Sequence, residues 1–153
     1  MLSADQLLDA LLERAHGPAA IETVPIAAAL GRVLATRQTS SITVPPADNS
    51  AMDGYAVRLA DVARVGVRLP LSQRILAGTV GQPLQPGTAA RIFTGAPVPP
   101  GADAVLMQED CSADGADVVI NKLPQPAENI RRAGEDIASG AQILAAGSRI
   151  GAA

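Results

Sequence analysis

The chain of 153 residues is poor in aromatic side chains: Phe93 and Tyr55 are the only two, and tryptophan is absent. Any core must therefore be built from Ala, Val, Leu and Ile. Stacking platforms for single-stranded nucleic acid are missing for the same reason. Cysteine is nearly absent too. Cys111 stands alone, which excludes an internal disulfide and suits a reducing cytoplasm, the expected location. There is no Walker loop, no G-x-G-x-x-G, no C-x-x-C and no H-E-x-x-H. An excess of positive charge is also lacking: the net charge is -3 and the longest basic run is Arg131-Arg132. No nucleic-acid partner is expected from such a surface. No apolar run approaches the ~20 residues that span a membrane, and no charged, then apolar, leader opens the chain.

What is present is a foldable globular composition, with 48% hydrophobic and 18% charged residues. The length suits one ordinary domain or two small ones. Residues 3–16 read as a helix. Ser3 and Gln6 have capping-box spacing, in which each side chain satisfies an orphan N–H of the other residue. Leu7, Leu8, Leu11, Leu12 and Ala15 share one helical face, and Gly17 with Pro18 supplies the stop. A second, shorter helix is expected over residues 25–30, opened by Pro25 and ended by Gly31. Residues 32–39 are open between helix and strand.

From Ile42 the texture changes: Gly and Pro become frequent and apolar runs shorten. Residues 54–57, 69–75, 89–94, 104–108 and 117–121 read as strands separated by Gly/Pro loops, a pattern of a small antiparallel β module. Asp114-Gly115 between two β-like runs marks a hairpin. The tail, rich in Gly and Ala, holds one more candidate strand at 141–145. This order permits the two chain ends to pack together with the β module inserted between them.

Three segments carry candidate chemistry. The first, Pro-Pro-Ala-Asp-Asn-Ser-Ala-Met-Asp-Gly-Tyr-Ala-Val at 45–57, sets Asp48, Asn49, Ser50 and Asp53 just before a strand. Carboxylates are hard oxygen ligands that suit Mg²⁺ and can orient a water. Two so close must be compensated by a metal, a cation or backbone N–H groups. The plainer reading, and the commoner occurrence, is a polar turn bonded to its own backbone. The second segment ends a strand at Thr94, then Gly95 and a proline-rich loop follow. A small hydroxyl-bearing lip there could hold an oxyanion; a stiffened strand-end turn is the commoner occurrence. The third, Asn-Ile-Arg-Arg-Ala-Gly-Glu-Asp-Ile at 129–137, sets two Arg beside two acids. That is either a surface ion cluster or an anion site whose acid orients metal or water. His16 is expected as a cation at the end of the first helix, and Cys111 as inert.

Taken together and in order, these segments resemble the MoeA/gephyrin E-domain family of molybdopterin molybdenumtransferases. They read Pro-x-x-Asp-Asn-Ser-Ala-Met-Asp-Gly-Tyr-Ala-Val, then Arg-Ile-Phe-Thr-Gly-Ala-Pro-Val-Pro-x-Gly-Ala-Asp-Ala-Val-Leu-Met-Gln-Glu, then Asn-Ile-Arg-Arg-x-Gly-Glu-Asp-Ile. The Leu-Gly-Arg-Val-Leu-Ala segment at 30–35 and the closing Gly-Ser-Arg-Ile also fit, so the resemblance covers essentially the whole chain.

The resemblance implies an α+β fold. An elongated α/β piece from residues 1–45 and 137–153 would serve a homodimer, and residues 46–136 would form an inserted, β-rich, mainly antiparallel domain. It implies a transferase that inserts molybdate into adenylated molybdopterin and releases AMP, with Mg²⁺ assisting. The implied catalytic residues are Asp53, Thr94 and Asp136. Asp53 and Asp136 would hold metal or orient the attacking water, and Thr94 would contact phosphate or molybdate oxygens. Ser50 and Arg131 lie in the same motifs as further substrate-binding candidates. The family's pterin-binding domain and C-terminal barrel do not fit within these residues, so the chain alone is expected to be inactive and the enzyme longer. Two other functions stay open: a non-catalytic dimerisation or scaffold module, and a small oxyanion- or metal-binding β domain.

Overall fold

The computed structural model describes residues 3–15, 17 and 20–152. The expectations for His16 and for Pro18 as a helix stop lie outside the described residues. The chain divides into two compact units, one of Met1–Gln38 with Gln142–Ala153, the other of Thr39–Ala141. In chain order the elements are α1 (Ala4–Arg14), β1 (Gln38–Thr39), β2 (Asn49–Ser50), β3 (Gly54–Val57), β4 (Val67–Ile75), β5 (Ala89–Ile92), β6 (Ala104–Met107), β7 (Cys111–Asp114), β8 (Asp117–Ile120), β9 (Ile130–Arg131) and β10 (Gln142–Leu144). Among the described residues the fold is mainly β, with one α-helix.

In the first unit, α1 begins as the capping box requires. The Gln6 N–H donates to Ser3 Oγ at 3.2 Å and the Ser3 N–H donates to Gln6 Oε1 at 2.9 Å. No residue of the helix is buried; its leucine face, from Leu7 at 51% to Leu12 at 62%, stands exposed. The helix is therefore held by its cap and local bonds more than by packing. The expected second helix is a single 3-10 turn, Ile26–Ala28, after Pro25; its C-cap is Ala29, and Gly31, the expected stop, stands two residues further on at φ 78°. Residues 31–34 are neither helix nor long strand. They pair with 147–150 through Gly31 N to Ile150 O, Leu34 N to Ser148 O and Ile150 N to Arg32 O, at 2.8–2.9 Å.

The second unit is built on a six-stranded sheet in the order β6-β3-β5-β4-β8-β7. The strands follow the expected positions; in β3 and β6 the apolar residues run on without a break, and since successive side chains point to opposite faces both faces are buried there. Tyr55, Val57, Leu69, Ala104, Leu106, Val118 and Ile120 share one core cluster. Ala56, Ile75, Ala90, Ile92 and Val105 share a second. Both β3 neighbours are strands and all four of its residues are buried. Alanine fills much of this interior, as the scarcity of aromatics demands. β7 and β8 form the expected hairpin, with Asp114 opposite Asp117 and Gly115 at φ 62° in the two-residue loop.

The sheet is mainly antiparallel, as expected, but not wholly so: four of its five strand pairings are antiparallel and one is parallel. β4 and β5 run parallel, with Leu71 opposite Ala89 and Ile75 opposite Ile92. Residues 76–88 carry the chain from the end of β4 back to the start of β5, which a parallel pair requires.

Candidate functional site

All the candidate residues belong to the second unit, and segment 45–57 is the hub on which the other two segments hang. On one side it meets the strand-end turn 93–96. The Ser50 N–H donates to Ala96 O at 2.9 Å, the Gly95 N–H to Ser50 O at 2.8 Å, and the Val98 N–H to Asp48 O at 2.8 Å. The turn closes through Ala96 N to Phe93 O at 2.9 Å, with Gly95 at φ 80° in its third place. Glycine reaches that conformation without a Cβ penalty. On the other side, β2 pairs with β9, Asn49 opposite Arg131 and Ser50 opposite Ile130. The Ala51 N–H donates to Asn129 O at 2.9 Å. Asn129 sits at φ 52°, a region asparagine tolerates, while its Nδ2 donates to Val105 O at 2.9 Å.

The carboxylates are compensated by cations and N–H groups. Asp48 Oδ1 accepts from the Ala133 N–H at 2.8 Å, and Arg132 donates to its Oδ2. The Ala133 N–H and the Arg132 guanidinium hold the Asp48 carboxyl below its ordinary range. Asp53 Oδ1 accepts twice from Thr94, from the backbone N–H and from Oγ1, each at 2.8 Å. Those two bonds, with the Arg91 charge behind them, lower the Asp53 carboxyl as well. Asp53 and Thr94 are both exposed.

This clasp decides what the pair can do. An ionised carboxylate only accepts, so the Thr94 hydroxyl must give its single proton to Asp53. Thr94 then faces solvent with lone pairs only. Among the described residues no donor reaches Asp53 Oδ2. The pair is a patch of acceptors, suited to hold a water by its protons and unsuited, while clasped, to donate to an oxyanion.

Asp136 pairs with Arg131. Its Oδ1 accepts from Arg131 Nη2 at 2.5 Å, and Glu135 stands 3.7 Å from Arg131 Nε. Asp136 raises the Arg131 guanidinium further above its ordinary value. Asp136 is exposed, but no hydrogen bond or ion pair joins it to Asp53 among the described residues. Ser50 is 1% exposed, and its hydroxyl donates to Met52 O at 2.6 Å and accepts from the Met52 N–H at 3.3 Å. That hydroxyl closes a turn. Among the described residues no three His, Cys, Asp or Glu side chains gather into a set that could hold a metal ion.

Of two residues that matter here, the sequence singled out Asp48, as one of two close carboxylates, and did not single out Arg91. Asp48 laces the first and third segments together. Arg91 stands directly behind the Asp53–Gly54 bend. The signal for Arg91 was available: a lone cation in the run Ala89–Ile92, between residues that alternate into the core.

Comparison with known proteins identifies the family. The family model described as "MoeA N-terminal region (domain I and II)" matches residues 2–153. The chain belongs to the MoeA family. It is 40% identical over 153 residues to the molybdopterin molybdenumtransferase of Haemophilus influenzae, covering 98% of this chain and 37% of that protein. It is 44% identical over 137 residues to the Nostoc protein of the same name, covering 86% and 31%. The crystal structure of a molybdopterin biosynthesis MoeA protein from Pyrococcus horikoshii superposes with a TM-score of 0.76 at 34% identity, over 82% of this chain and 35% of that one. This MoeA region thus spans about a third of the length of the curated relatives it matches, which are by name enzymes. No helix among the described residues is long and apolar enough to cross a membrane.

Proposed function

We propose that this region forms one wall of the active site of a molybdenumtransferase that inserts molybdate into adenylated molybdopterin and releases AMP. The observation that carries the reading is the exposed Asp53–Thr94 clasp, fixed where three separate segments meet. Water held by its protons on Asp53 Oδ2 and Thr94 Oγ1 keeps an oxygen lone pair free to attack the adenylyl phosphorus. A new P–O bond forms, the bond to the pterin phosphate breaks, AMP leaves, and the water's proton passes to solvent. Orienting a nucleophile in this way can supply several kcal/mol, up to ~7–11 for complete positioning. The lowered carboxyl makes Asp53 an orienting group and a weak base.

Arg131, raised and held by Asp136, is the cation offered to a phosphate or molybdate oxygen. Asp136 serves as its anchor. Mg²⁺ fits this chain only in part: it takes most of its oxygens from water and phosphate, and the clasp offers only Asp53 Oδ2 and the Thr94 Oγ1 lone pairs to hold it. Bound there, the ion would neutralise phosphate charge. The rest of the site lies beyond these residues, so the chain alone is expected to release no AMP.

A dimerisation role is favoured by a separate observation. The bare leucine face of α1 and an apolar groove of about 880 Å³ in the first unit, lined by Ile21, Val24, Leu34, Leu144 and Ile150, are surfaces a second copy would cover.

The test is the Thr94 series in a full-length transferase that carries this region. Thr94→Ser keeps both hydrogen bonds and should keep turnover within a fewfold. Thr94→Val loses the hydroxyl and should lower AMP release by about tenfold or more, the worth of one hydrogen bond to a charged group. Equal turnover in both variants would remove the clasp from the mechanism.

A further inference from the structure

We infer that Arg91 is a positioning residue for the Asp53–Thr94 clasp, holding two successive carbonyls of the bend that presents Asp53. The inference rests on reading that clasp as functional, but its test does not. Arg91 lies in β5 between Ala90 and Ile92, both fully buried. Successive side chains of a strand point to opposite faces, so Arg91 stands half-buried on the face away from both. An apolar side chain would pack at the same position, so the charge needs another reason.

Its contacts supply one. Arg91 Nη1 donates to Gly54 O at 2.7 Å and more weakly to its own strand at Ile92 O, 3.3 Å. Arg91 Nη2 donates to Gln108 Oε1 at 2.7 Å, and the Gln108 N–H in turn donates to Asp53 O at 3.0 Å. The guanidinium fork therefore grips Gly54 O directly and Asp53 O through Gln108. Its faces are covered by rings: the Tyr55 centroid lies at 5.1 Å and the Phe93 centroid at 4.5 Å. Phe93 immediately precedes Thr94. Arg91 thus touches the residue after Asp53 and the residue before Thr94, and orders both halves of the clasp. No acid pairs with Arg91 among the described residues, so its charge stands uncancelled behind the carboxylate. Lysine could not replace it, because an ammonium lacks the planar fork and does not stack in the same way.

The test reads the clasp itself, by NMR of this chain. The Thr94 amide, bonded to a carboxylate, reports the clasp through its shift and its hydrogen exchange; the β8 amides report opening of the sheet. In Arg91→Met the Thr94 amide should lose its shift and exchange at least about tenfold faster relative to β8, as for a lost charged hydrogen bond. Arg91→Lys should fall between. Gln108→Ala, on an exposed side chain, removes one arm of the grip without touching the core and should loosen Thr94 in the same sense. It decides the matter should Arg91→Met fail to fold. Thr94 exchange unchanged, or changed only in step with β8, would overturn the inference. Because no turnover is measured, this outcome is independent of whether Thr94 or Asp53 variants alter AMP release.

Discussion

Gly54 and Gly95 flank the clasp and are glycines for different reasons. A Cβ at Gly54 would sit 1.8 Å from the backbone oxygen of Leu106, because β3 and β6 approach closely there. A Cβ at Gly95 would meet nothing within 4 Å, but the residue stands at φ 80°. Gly54→Ala must push two strands apart and should cost ~3 kcal/mol or more, at the upper end of overpacking. Gly95→Ala carries only the left-handed penalty of roughly 1 kcal/mol. Denaturant melts of the two variants check the order; equal costs would contradict the close approach. Cys111 gives a second residue-scale outcome. Burial, with help from the Asp110 charge, pushes its thiol up to about 12. Since the thiolate is the nucleophile, alkylation at pH 8 should be slow in the native chain and fast in denaturant. Rapid native labelling would contradict that burial.

The elements that frame the site are short, and ion pairs and turns do much of the joining. Asp48 ties segment 45–57 to segment 129–137 through Ala133 and Arg132. Its folded-state value lies below the ordinary 3.8. A depressed carboxyl contributes stability above its unfolded value and loses it as pH falls through the folded value. The two segments should therefore stay laced at neutral pH and separate only in acid, below the ordinary carboxylate range. The Ala133 amide shift, followed against pH, checks this; a transition near pH 6 would contradict it.

Elements were legible in the sequence where a local rule decides them. The Ser3–Gln6 cap, the apolar strand runs and the Asp114-Gly115 hairpin are of that kind. The parallel pairing of β4 with β5 was not legible, because residues 76–88 carry no periodicity that reveals a crossover. The β2–β9 ladder was not either: two residues cannot show a period of two. For the site, the sequence showed that two close carboxylates need compensation. It did not show that Ala133, Arg132 and Thr94 supply it, since these partners are 41 to 85 residues distant. Nor was the burial of Ser50 visible in a polar run.

At the scale of the whole molecule, the second unit carries the sheet, the core and the clasp. In the first unit the leucines of α1 stand bare. The chain covers 37% of its Haemophilus relative, so the proposed chemistry needs residues beyond those described. The central claim is nevertheless local: Asp53 acts on the reaction and not merely on the fold. Asn at position 53 keeps one oxygen to accept from Thr94 while removing the charge and the second acceptor. The decisive measurement is AMP release from adenylated molybdopterin by the full-length transferase with Asp53→Asn, alongside pterin binding and the melting temperature. A catalytic Asp53 predicts turnover down by ~10²-fold or more, as for loss of a group that handles the reacting water, with binding and melting nearly unchanged. Normal AMP release from a destabilised protein would mean that Asp53 only shapes a turn.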